Sequence, residues 1–372
     1  MSFKTCKTCL LYNFPQHYRL GIFGLIGKSC NTHFYFGDKM EDVKRFDTNQ
    51  LAGEVFSLKN FTLWRPIYLQ LGTLPVFYKK YSSYIVLGEY YNLTTWILLL
   101  FLRFKKKRRI FLWTHGWYGN ETRLKKVIKK AYFSLSDGLL LYGDRAKELM
   151  ISNGFTPTKL HVIYNSLNYS LSVQIRSSIK QKKIPLKIFD NNYPTLFFIG
   201  RLTKNKKLFM ILNASEKLNE LAINHNILII GGGEEEALLK DYAKTKNLKN
   251  IYFYGPCYDE FTIANLIYNS DLCVSPGNVG LTAIHSMSYG TPVLTHNNFS
   301  KQMPEYEAIN PTLGTGDFFE EGELDSMVNK IIYLLEESII RREEIRESCF
   351  RVIDQKYNPH FQLEVLKSAN VL

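Results

Sequence analysis

The sequence predicts an α/β protein built on doubly wound parallel sheets, and three observations lead to this prediction. Short apolar runs typical of buried strands recur along the chain, most of them end in a turn rich in glycine, and an amphipathic helical pattern follows. In the second half this succession of strand, glycine turn and helix repeats four times. Because the carboxyl ends of parallel strands share one edge of a sheet, we expect the glycine turns to gather there.

The first half supplies the earlier strands. The first is predicted within residues 3–12, and the loop behind it carries Tyr18 and Arg19 at the carboxyl end of the strand, where ligands bind in open α/β sheets. Further strands are predicted at His33–Phe36, Tyr84–Leu87, Phe111–Thr114, Gly138–Tyr142 and Leu160–Tyr164.

The strand Phe111–Thr114 runs directly into a histidine and two aromatic residues flanked by glycines. Trp117 and Tyr118 can stack on a sugar, and His115 can present an imidazole to it. The alternative is that His115 is an ordinary loop histidine, since no partner carboxylate is recognisable in the sequence.

The second half begins with the predicted strand Thr195–Ile199, which ends at Gly200. Arg201 and Lys206 flank the tight turn that follows, and guanidinium and ammonium groups at such a position can pair with a diphosphate. The next strands are predicted at Ile227–Ile230 and Ile251–Tyr254, followed by an apolar run at residues 272–274.

A loop containing Pro276, Gly277, Asn278 and Gly280 follows this last apolar run, and a helical pattern begins at Leu281. The first amides of a helix lack intrahelical partners and carry the positive end of its dipole. The backbone of residues 280–282 can therefore hold an anion such as a phosphate. The alternative is an ordinary βα loop.

The length of 372 residues predicts two domains, because a single core rarely serves so long a chain. The stretch from residue 171 to 192 shows little periodicity. We therefore predict a first domain at 1–178, a second at 179–350 and a C-terminal helical segment at 351–372.

The net charge of +13 is unevenly spread, since residues 1–190 hold 30 Lys and Arg against 11 Asp and Glu, whereas residues 191–372 hold 17 against 23. No nucleic-acid-binding motif supports a nucleic-acid partner. The apolar run WILLLFL at residues 96–102 instead leads into a basic run at 103–109, and a second basic run, comprising Arg123, Lys125, Lys126, Lys129 and Lys130, follows. This favours an anionic membrane surface; the alternative is a core helix with a solvated rim of lysines.

The first ten residues lack the apolar stretch of a secretory signal, so a cytosolic protein is expected. The six cysteines are irregularly spaced and are predicted to be free thiols, and the CxxC at Cys6 and Cys9 is not expected to bind a metal.

Five segments of the chain form a set that is more specific than any one of them. They are GRLTKNK at 200–206, IIGGGEEEALL at 229–239, YFYGPC at 252–257, the long segment at 269–296 that contains GTPV, and residues 141–166 of the first half. Together these segments resemble the GT-B glycosyltransferases, and most closely glycosyltransferase family 4 (glycosyl transferases group 1). The resemblance covers about residues 135–310.

The resemblance implies two Rossmann-like domains facing across a cleft, with a nucleotide-sugar donor on the second and the acceptor on the first. It implies that Arg201 and Lys206 neutralise the donor diphosphate as leaving group, that His115 lies beside the donor sugar, and that no metal or cofactor is used. The acceptor-binding residues are then Tyr18, Arg19, Trp117 and Tyr118. The donor-binding residues are then Gly200, Gly231, Gly232, Cys257, Asn278, Gly280, Leu281, Thr282, His285 and Glu305.

One departure from the family concerns two glutamates eight residues apart, one near the sugar and one on the ribose. Gly277 and His285 stand at those places here. Glu305 or Glu307 is a candidate substitute, and Asn278 and His285 are able to hydrogen-bond hydroxyls instead. A weakly active or non-catalytic relative is the alternative that this departure leaves open, and a GT-B epimerase or phosphorylase is a further rival.

The resemblance therefore implies a glycosyltransferase, expected to be retaining, that moves a sugar from a nucleotide-diphosphate donor to a glycan or polyprenyl-diphosphate-linked acceptor. We expect it in surface polysaccharide biosynthesis, of capsule or O-antigen, at the inner face of the plasma membrane.

Overall fold

The computed structural model describes residues 7–39, 43–105, 108–182 and 188–372. The chain divides into two compact units, residues 1–168 with 358–372, and residues 169–357. Cys6, Lys106 and Lys107, which the sequence analysis includes in the CxxC and the first basic run, lie outside the described residues.

The first unit is built on a seven-stranded sheet and a separate two-stranded ribbon. Its strands are β1 Lys7–Tyr12, β2 Asn31–Phe36, β3 Glu54–Ser57, β4 Lys59–Trp64, β5 Ile67–Leu71, β6 Ser83–Leu87, β7 Arg109–Thr114, β8 Gly138–Leu141 and β9 Leu160–Val162. The sheet has the order β3-β2-β1-β6-β7-β8-β9, and every pair in it is parallel. Strands β4 and β5 form an antiparallel hairpin outside it.

Helices cover both faces of this sheet. They are α1 Leu20–Ser29, α2 Leu74–Tyr78, α3 Leu93–Arg103, α4 Arg123–Phe133, α5 Asp144–Ser152 and, from the end of the chain, α12 Pro359–Ser368. Side chains of α2 to α5 join one apolar cluster with the sheet. Side chains of α1 and α12 join another cluster that contains Trp113 of β7. A parallel sheet buried on both faces is what the almost continuously apolar strands predict.

The second unit has a six-stranded parallel sheet. Its elements are α6 Tyr169–Lys182, β10 Thr195–Ile199, α7 Phe209–Glu220, β11 Asn226–Ile230, α8 Glu236–Thr245, β12 Ile251–Gly255, α9 Glu260–Tyr268, β13 Leu272–Ser275, α10 Leu281–Ser288, β14 Val293–His296, β15 Gly316–Phe319 and α11 Leu324–Gln355, which is kinked at Arg341. The strand order is β12-β11-β10-β13-β14-β15. The doubly wound α/β architecture predicted from the sequence is confirmed in both units.

Each sheet has a point at which the strand order reverses, between β1 and β6 in the first unit and between β10 and β13 in the second. Loops that leave the carboxyl ends of the two strands flank a crevice at such a point. The loops predicted to bind the donor diphosphate follow β10 and β13, so they lie at the reversal point of the second unit.

The two units divide at residue 169, whereas the sequence places the boundary after residue 178. Helix α6 belongs to the second unit because Ser172 contacts Tyr289 and Arg176 pairs with Asp354. Residues 358–372 belong to the first unit, where Gln362 bonds both Ser166 and the carbonyl oxygen of Tyr164.

Candidate donor and acceptor sites

The glycine turns after β10 and β11 lie against each other. The Gly200 amide donates to the Ile230 carbonyl and the Leu202 amide to the Gly232 carbonyl, both at 3.0 Å. A Cβ on Gly231 would lie only 1.9 Å from the Gly200 carbonyl oxygen. Gly200, Gly231 and Gly232 therefore serve the close approach of two loops at the edge of the sheet.

Lys206 ties the loop after β10 to the loop after β13. Its Nζ donates to the carbonyl oxygen of Asn278 at 2.7 Å and to the Asn278 Oδ1 at 2.8 Å. Burial lowers the pKa of Lys206 and the charge of Arg201 lowers it further, whereas Glu305 raises it. A phosphate close to this ammonium would supply negative charge and so stabilise the protonated form, which burial and the charge of Arg201 disfavour.

Arg201 and Glu305 complete a charged cluster around Lys206. Arg201 is exposed to solvent at the carboxyl end of β10. Glu305 lies in the short helical turn Pro304–Ala308 and is only 2% exposed. Two cations and one buried carboxylate therefore meet at the reversal point, with the guanidinium as the accessible member.

The N-terminus of α10 is held in place by side chains of its own loop. Thr282 donates through Oγ1 to the Ile199 carbonyl at 3.2 Å, so the first turn of α10 is fixed to the end of β10. Gly280 precedes the helix and Leu281 begins it. Asn278, which binds Lys206, precedes Gly280 by two residues, so the loop that contacts this ammonium leads directly into the first turn of α10.

Gln302 is a structural part of this site that the sequence analysis misses. Its Oε1 accepts from the Val279 amide at 2.9 Å, and its Nε2 donates to the Thr295 hydroxyl and the His296 carbonyl at 2.8 and 3.0 Å. Gln302 is buried, and its bond to the Val279 amide fixes the loop between β13 and α10. No local sequence pattern predicts this role, because the partners of Gln302 lie up to 23 residues away in the sequence.

Gly277 stands where the resembling family has a glutamate near the sugar, and the surrounding backbone leaves no room for one. A Cβ on Gly277 would lie 2.1 Å from the Asn205 carbonyl oxygen. The Gly277 amide donates to the Lys206 carbonyl at 3.1 Å, which holds the two loops together. A side chain at position 277 would therefore require the turn that carries Asn205 and Lys206 to move.

His285 stands at the place of the second family glutamate and is paired with a carboxylate from another helix. Its Nε2 lies 2.9 Å from Glu260 Oε1, which also accepts from the Tyr289 hydroxyl at 2.6 Å. Glu260 opens α9, directly after the loop that carries the half-buried Cys257. The role of Glu260 as the partner of His285 could not be predicted from the sequence, since 25 residues separate the two.

In the first unit, His115 follows β7 and packs on aromatic rings. Its ring centroid lies 4.6 Å from that of Tyr142 and 5.8 Å from that of Tyr118. Burial, and then the charges of Arg19 and Lys129, lower the pKa of His115 to about 4. His115 is therefore a neutral imidazole at physiological pH.

The loop after His115 is anchored by an ion pair between Glu121 and Lys129. Lys129 Nζ lies 2.8 Å from Glu121 Oε1 and donates to the Gly116 carbonyl at 2.5 Å, and both side chains are buried. The amides of Tyr118 and Gly119 donate to the Glu121 carboxylate at 2.9 and 3.0 Å. Lys129 thus belongs to this loop support and not to the exposed basic run in which the sequence analysis includes it.

The four predicted acceptor-binding residues separate into two groups. Arg19 is 4% exposed, donates to the Tyr142 hydroxyl and lies 4.9 Å from the ring centroid of Trp113. Trp117 is 3% exposed and packs on Phe155 in the core. Tyr18 and Tyr118 are partly exposed, so they are the members of the set that reach solvent in this unit.

Glu89 is a residue at the reversal point of the first sheet that the sequence analysis does not mention. It follows β6, and its carboxylate accepts from the Tyr68 hydroxyl at 2.6 Å and from Asn13 Nδ2 at 3.2 Å. Burial raises the pKa of Glu89.

Within the described residues, no cluster of three His, Cys, Asp or Glu side chains is placed to hold a metal ion. None of the helices in the described part of the chain is long and apolar enough to cross a membrane. The five described cysteines are free thiols.

Part of the chain is similar to a known protein family. Residues 180–350 match the family described as Glycosyl transferases group 1. A glycogen synthase of Hydrogenovibrio crunogenus is 25% identical over 138 residues, which are 36% of this chain and 28% of that relative. The match thus spans little more than a quarter of the length of this curated relative.

Solved structures match over nearly the whole chain. The lipopolysaccharide outer core galactosyltransferase WaaB in its apo form has a TM-score of 0.67 at 14% identity, covering 98% of this chain and 99% of its own. HepE of Anabaena in complex with UDP has a TM-score of 0.68 at 14% identity, covering 98% and 100%. Residues 180–350 thus resemble group 1 glycosyl transferases, and the chain has the GT-B fold that the sequence predicts.

Proposed function

We propose that this chain is a glycosyltransferase whose second unit binds a nucleotide-diphosphate sugar. The observation that carries the proposal is the meeting of Arg201, Lys206 and the first turn of α10 at the reversal point between β10 and β13. A diphosphate is a leaving group with developing negative charge, and fixed cations and amides stabilise such charge where it forms. We propose that these groups stabilise the leaving diphosphate without a metal ion.

The donor is a nucleoside diphosphate linked to a sugar. HepE, which has the same fold, was solved with UDP and with UDP-glucose, and this favours a uridine nucleotide as the first donor to test. We propose that Gly200, Gly232, Cys257 and His285 lie along the nucleotide, and that Asn278 and Glu305 lie toward the sugar.

The acceptor is a glycan or a polyprenyl-diphosphate-linked glycan bound by the first unit. Tyr18 and Tyr118 are the partly exposed aromatic candidates for stacking on it, and neutral His115 is the candidate for a hydrogen bond to a sugar hydroxyl. We propose transfer with retention of configuration, in surface polysaccharide synthesis at the inner face of the plasma membrane. The likeness to WaaB, a lipopolysaccharide galactosyltransferase, supports that setting.

The first experiment is thermal unfolding of the full chain against UDP, GDP, dTDP, ADP and CMP sugars. A ligand at 100 times its dissociation constant adds about 2.7 kcal/mol to the free energy of unfolding, so the donor should raise the midpoint visibly. Arg201→Ala should abolish this rise. Lys249→Ala is the matched control, because it removes an exposed cation at the opposite end of the strands, ahead of β12.

One nucleotide that stabilises the wild type and Lys249→Ala but not Arg201→Ala would support the donor site and name the base. A folded protein that none of the nucleotide sugars stabilises would contradict the proposal.

A second candidate is a non-catalytic or weakly active sugar-binding relative, favoured by Gly277 and His285 at the places of the family glutamates. Nucleotide-sugar turnover separates the candidates. Release of nucleoside diphosphate that depends on added lipid-linked glycan indicates a transferase, release without acceptor indicates an epimerase or hydrolase, and binding without release indicates the non-catalytic relative.

A further inference from the structure

Helix α3 of the first unit is apolar on both of its sides. Leu98, Leu99 and Leu102 are buried against the sheet. The opposite side carries four large apolar side chains at the i, i+3, i+4, i+7 spacing of a helical stripe, which are the exposed Ile97, Leu100, Phe101 and Phe104. Phe104, the C-cap residue directly after the helix, is 86% exposed. A solvated surface helix has polar residues on this side, so the apolar stripe requires an explanation.

Helix α4 repeats the arrangement. Tyr132 and Phe133 are buried, whereas Leu124, Val127, Ile128 and Ala131 form an exposed stripe with the same spacing. Leu124 is 71% exposed. These four apolar side chains of α4 therefore point to solvent.

The exposed stripes belong to neighbouring helices. The rings of Trp96 on α3 and Tyr132 on α4 lie 5.0 Å apart, and those of Phe77 on α2 and Phe101 on α3 lie 5.3 Å apart. The short helix α2 adds two more exposed side chains. The α2–α4 surface is defined by Leu74, Tyr78, Ile97, Leu100, Phe101, Phe104, Leu124, Val127 and Ile128.

The segment that forms this surface is strongly basic. Residues 59–130 contain fifteen Lys and Arg against two Asp and Glu. The net charge of this segment is therefore +13, the same as the formal net charge of the entire chain. Both acids are engaged elsewhere, since Glu89 bonds Tyr68 and Glu121 pairs with buried Lys129. The acidic residues of this segment therefore do not balance the cations beside the apolar stripes.

We propose that the α2–α4 surface docks on an anionic lipid bilayer. Its apolar side chains enter the boundary between headgroups and acyl chains, and the flanking lysines and arginines contact lipid phosphates. Charge complementarity favours a bilayer over a second copy of this chain, because two such surfaces would bring like charges together. A nucleic acid would use the cations but leave the apolar stripes exposed.

This inference deepens the membrane association proposed above, and it does not depend on the donor site. The test is sedimentation of the full chain with vesicles of phosphatidylcholine alone and of phosphatidylcholine mixed with phosphatidylglycerol. The apolar variant is Leu100→Gln with Phe104→Gln, and its control is Ile339→Gln with Ile340→Gln, which are 71% and 75% exposed in the second unit. The charge variant is Lys125→Ala with Lys126→Ala, and its control is Lys244→Ala with Lys249→Ala.

We expect the wild type and both controls to sediment with anionic vesicles and not with neutral ones. Each Lys or Arg at an anionic leaflet contributes about fivefold, so the charge variant should bind about 30-fold more weakly. In high salt, the wild type should keep the part of its vesicle binding that comes from the apolar side chains. The apolar variant should lose this part. Unchanged thermal midpoints and an unchanged response to the donor nucleotide would show that the variants are folded and that the donor site is separate.

Three results would overturn the proposal. The wild type could stay in solution with anionic vesicles, or the second-unit controls could weaken binding as much as the α2–α4 variants do. Light scattering could also reveal a dimer that the apolar variant dissociates, without any vesicle binding, in which case a second copy of the chain covers the surface.

Discussion

At the scale of single residues, the backbone around Gly277 leaves no room for a side chain. Gly277 lies under the turn that carries Asn205 and Lys206, so a carboxylate cannot be restored there by substitution alone. We expect Gly277→Glu to lower the free energy of unfolding by about 1–3 kcal/mol, as overpacking does. Denaturant unfolding measures this change.

Asn278→Asp is the control for that substitution, since it adds a carboxylate next to Lys206 where the amide oxygen already lies 2.8 Å from the ammonium. It should fold with near wild-type stability. A Gly277→Glu protein as stable as Asn278→Asp would show that the loop packing described above is wrong.

His115 makes a prediction about pH. Its pKa is lowered from 6.5 to about 4. Between these pH values the unfolded chain binds a proton at this side chain and the folded chain does not. The contribution of the neutral His115 to the free energy of unfolding is therefore fully present above pH 6.5. It is lost as the pH falls toward 4, at up to about 1.4 kcal/mol per pH unit. Unfolding of His115→Gln should therefore depend less on pH across this window than unfolding of the wild type.

The difference between the two proteins isolates His115 from the other histidines, which both contain. Parallel curves of unfolding free energy against pH would contradict the lowered pKa of His115.

The residues predicted from the sequence are mainly those whose role depends on a local pattern. Arg201, Lys206 and residues 280–282 follow strands and glycine turns, and the structure has them in the loops at the reversal point of the sheet. Glu260 and Gln302 were not predicted, because their hydrogen bonds join residues about 25 positions apart and only the folded backbone brings them together.

At the scale of elements, α4 supports the loop that presents His115. The Glu121 carboxylate binds two loop amides and Lys129 of α4, and the pair is buried. Removing one partner of a buried ion pair leaves an unpaired charge and costs about 3–5 kcal/mol. We therefore expect Glu121→Gln and Lys129→Met each to lower the free energy of unfolding by about that amount.

A double-mutant cycle measures the coupling. The double variant should cost clearly less than the sum of the single ones, because no isolated charge remains. Additive losses would mean that the two side chains act independently.

Strand prediction was successful where both faces of a strand are buried. Strands β7, β10 and β11 are continuous apolar runs, and the structure has them within one residue or two of the predicted bounds. The hairpin of β4 and β5 was missed, because most of its side chains are exposed and its pattern does not indicate burial. For α3, the core-helix and exposed-surface alternatives both describe part of the helix, which buries one apolar side and exposes the other.

At the scale of the whole molecule, the two units divide the chemistry. The first carries the excess of positive charge and the neutral His115, and the second carries the charged cluster at its reversal point. The sequence could predict two α/β units and the unequal charge. It could not place the division at residue 169, because the assignment of α6 depends on tertiary contacts such as that between Ser172 and Tyr289.

The central claim is that the loops after β10 and β13 hold a diphosphate, and calorimetric titration with UDP and UMP tests it most directly. Two cations and the amides of α10 meet the second phosphate, so UDP should bind the wild type at least about tenfold more tightly than UMP, a difference of about 1.4 kcal/mol. Lys206→Met and Arg201→Ala should reduce this preference, and Lys249→Ala should keep it. Equal affinities for UDP and UMP in the wild type, or a preference that survives both substitutions, would contradict the account.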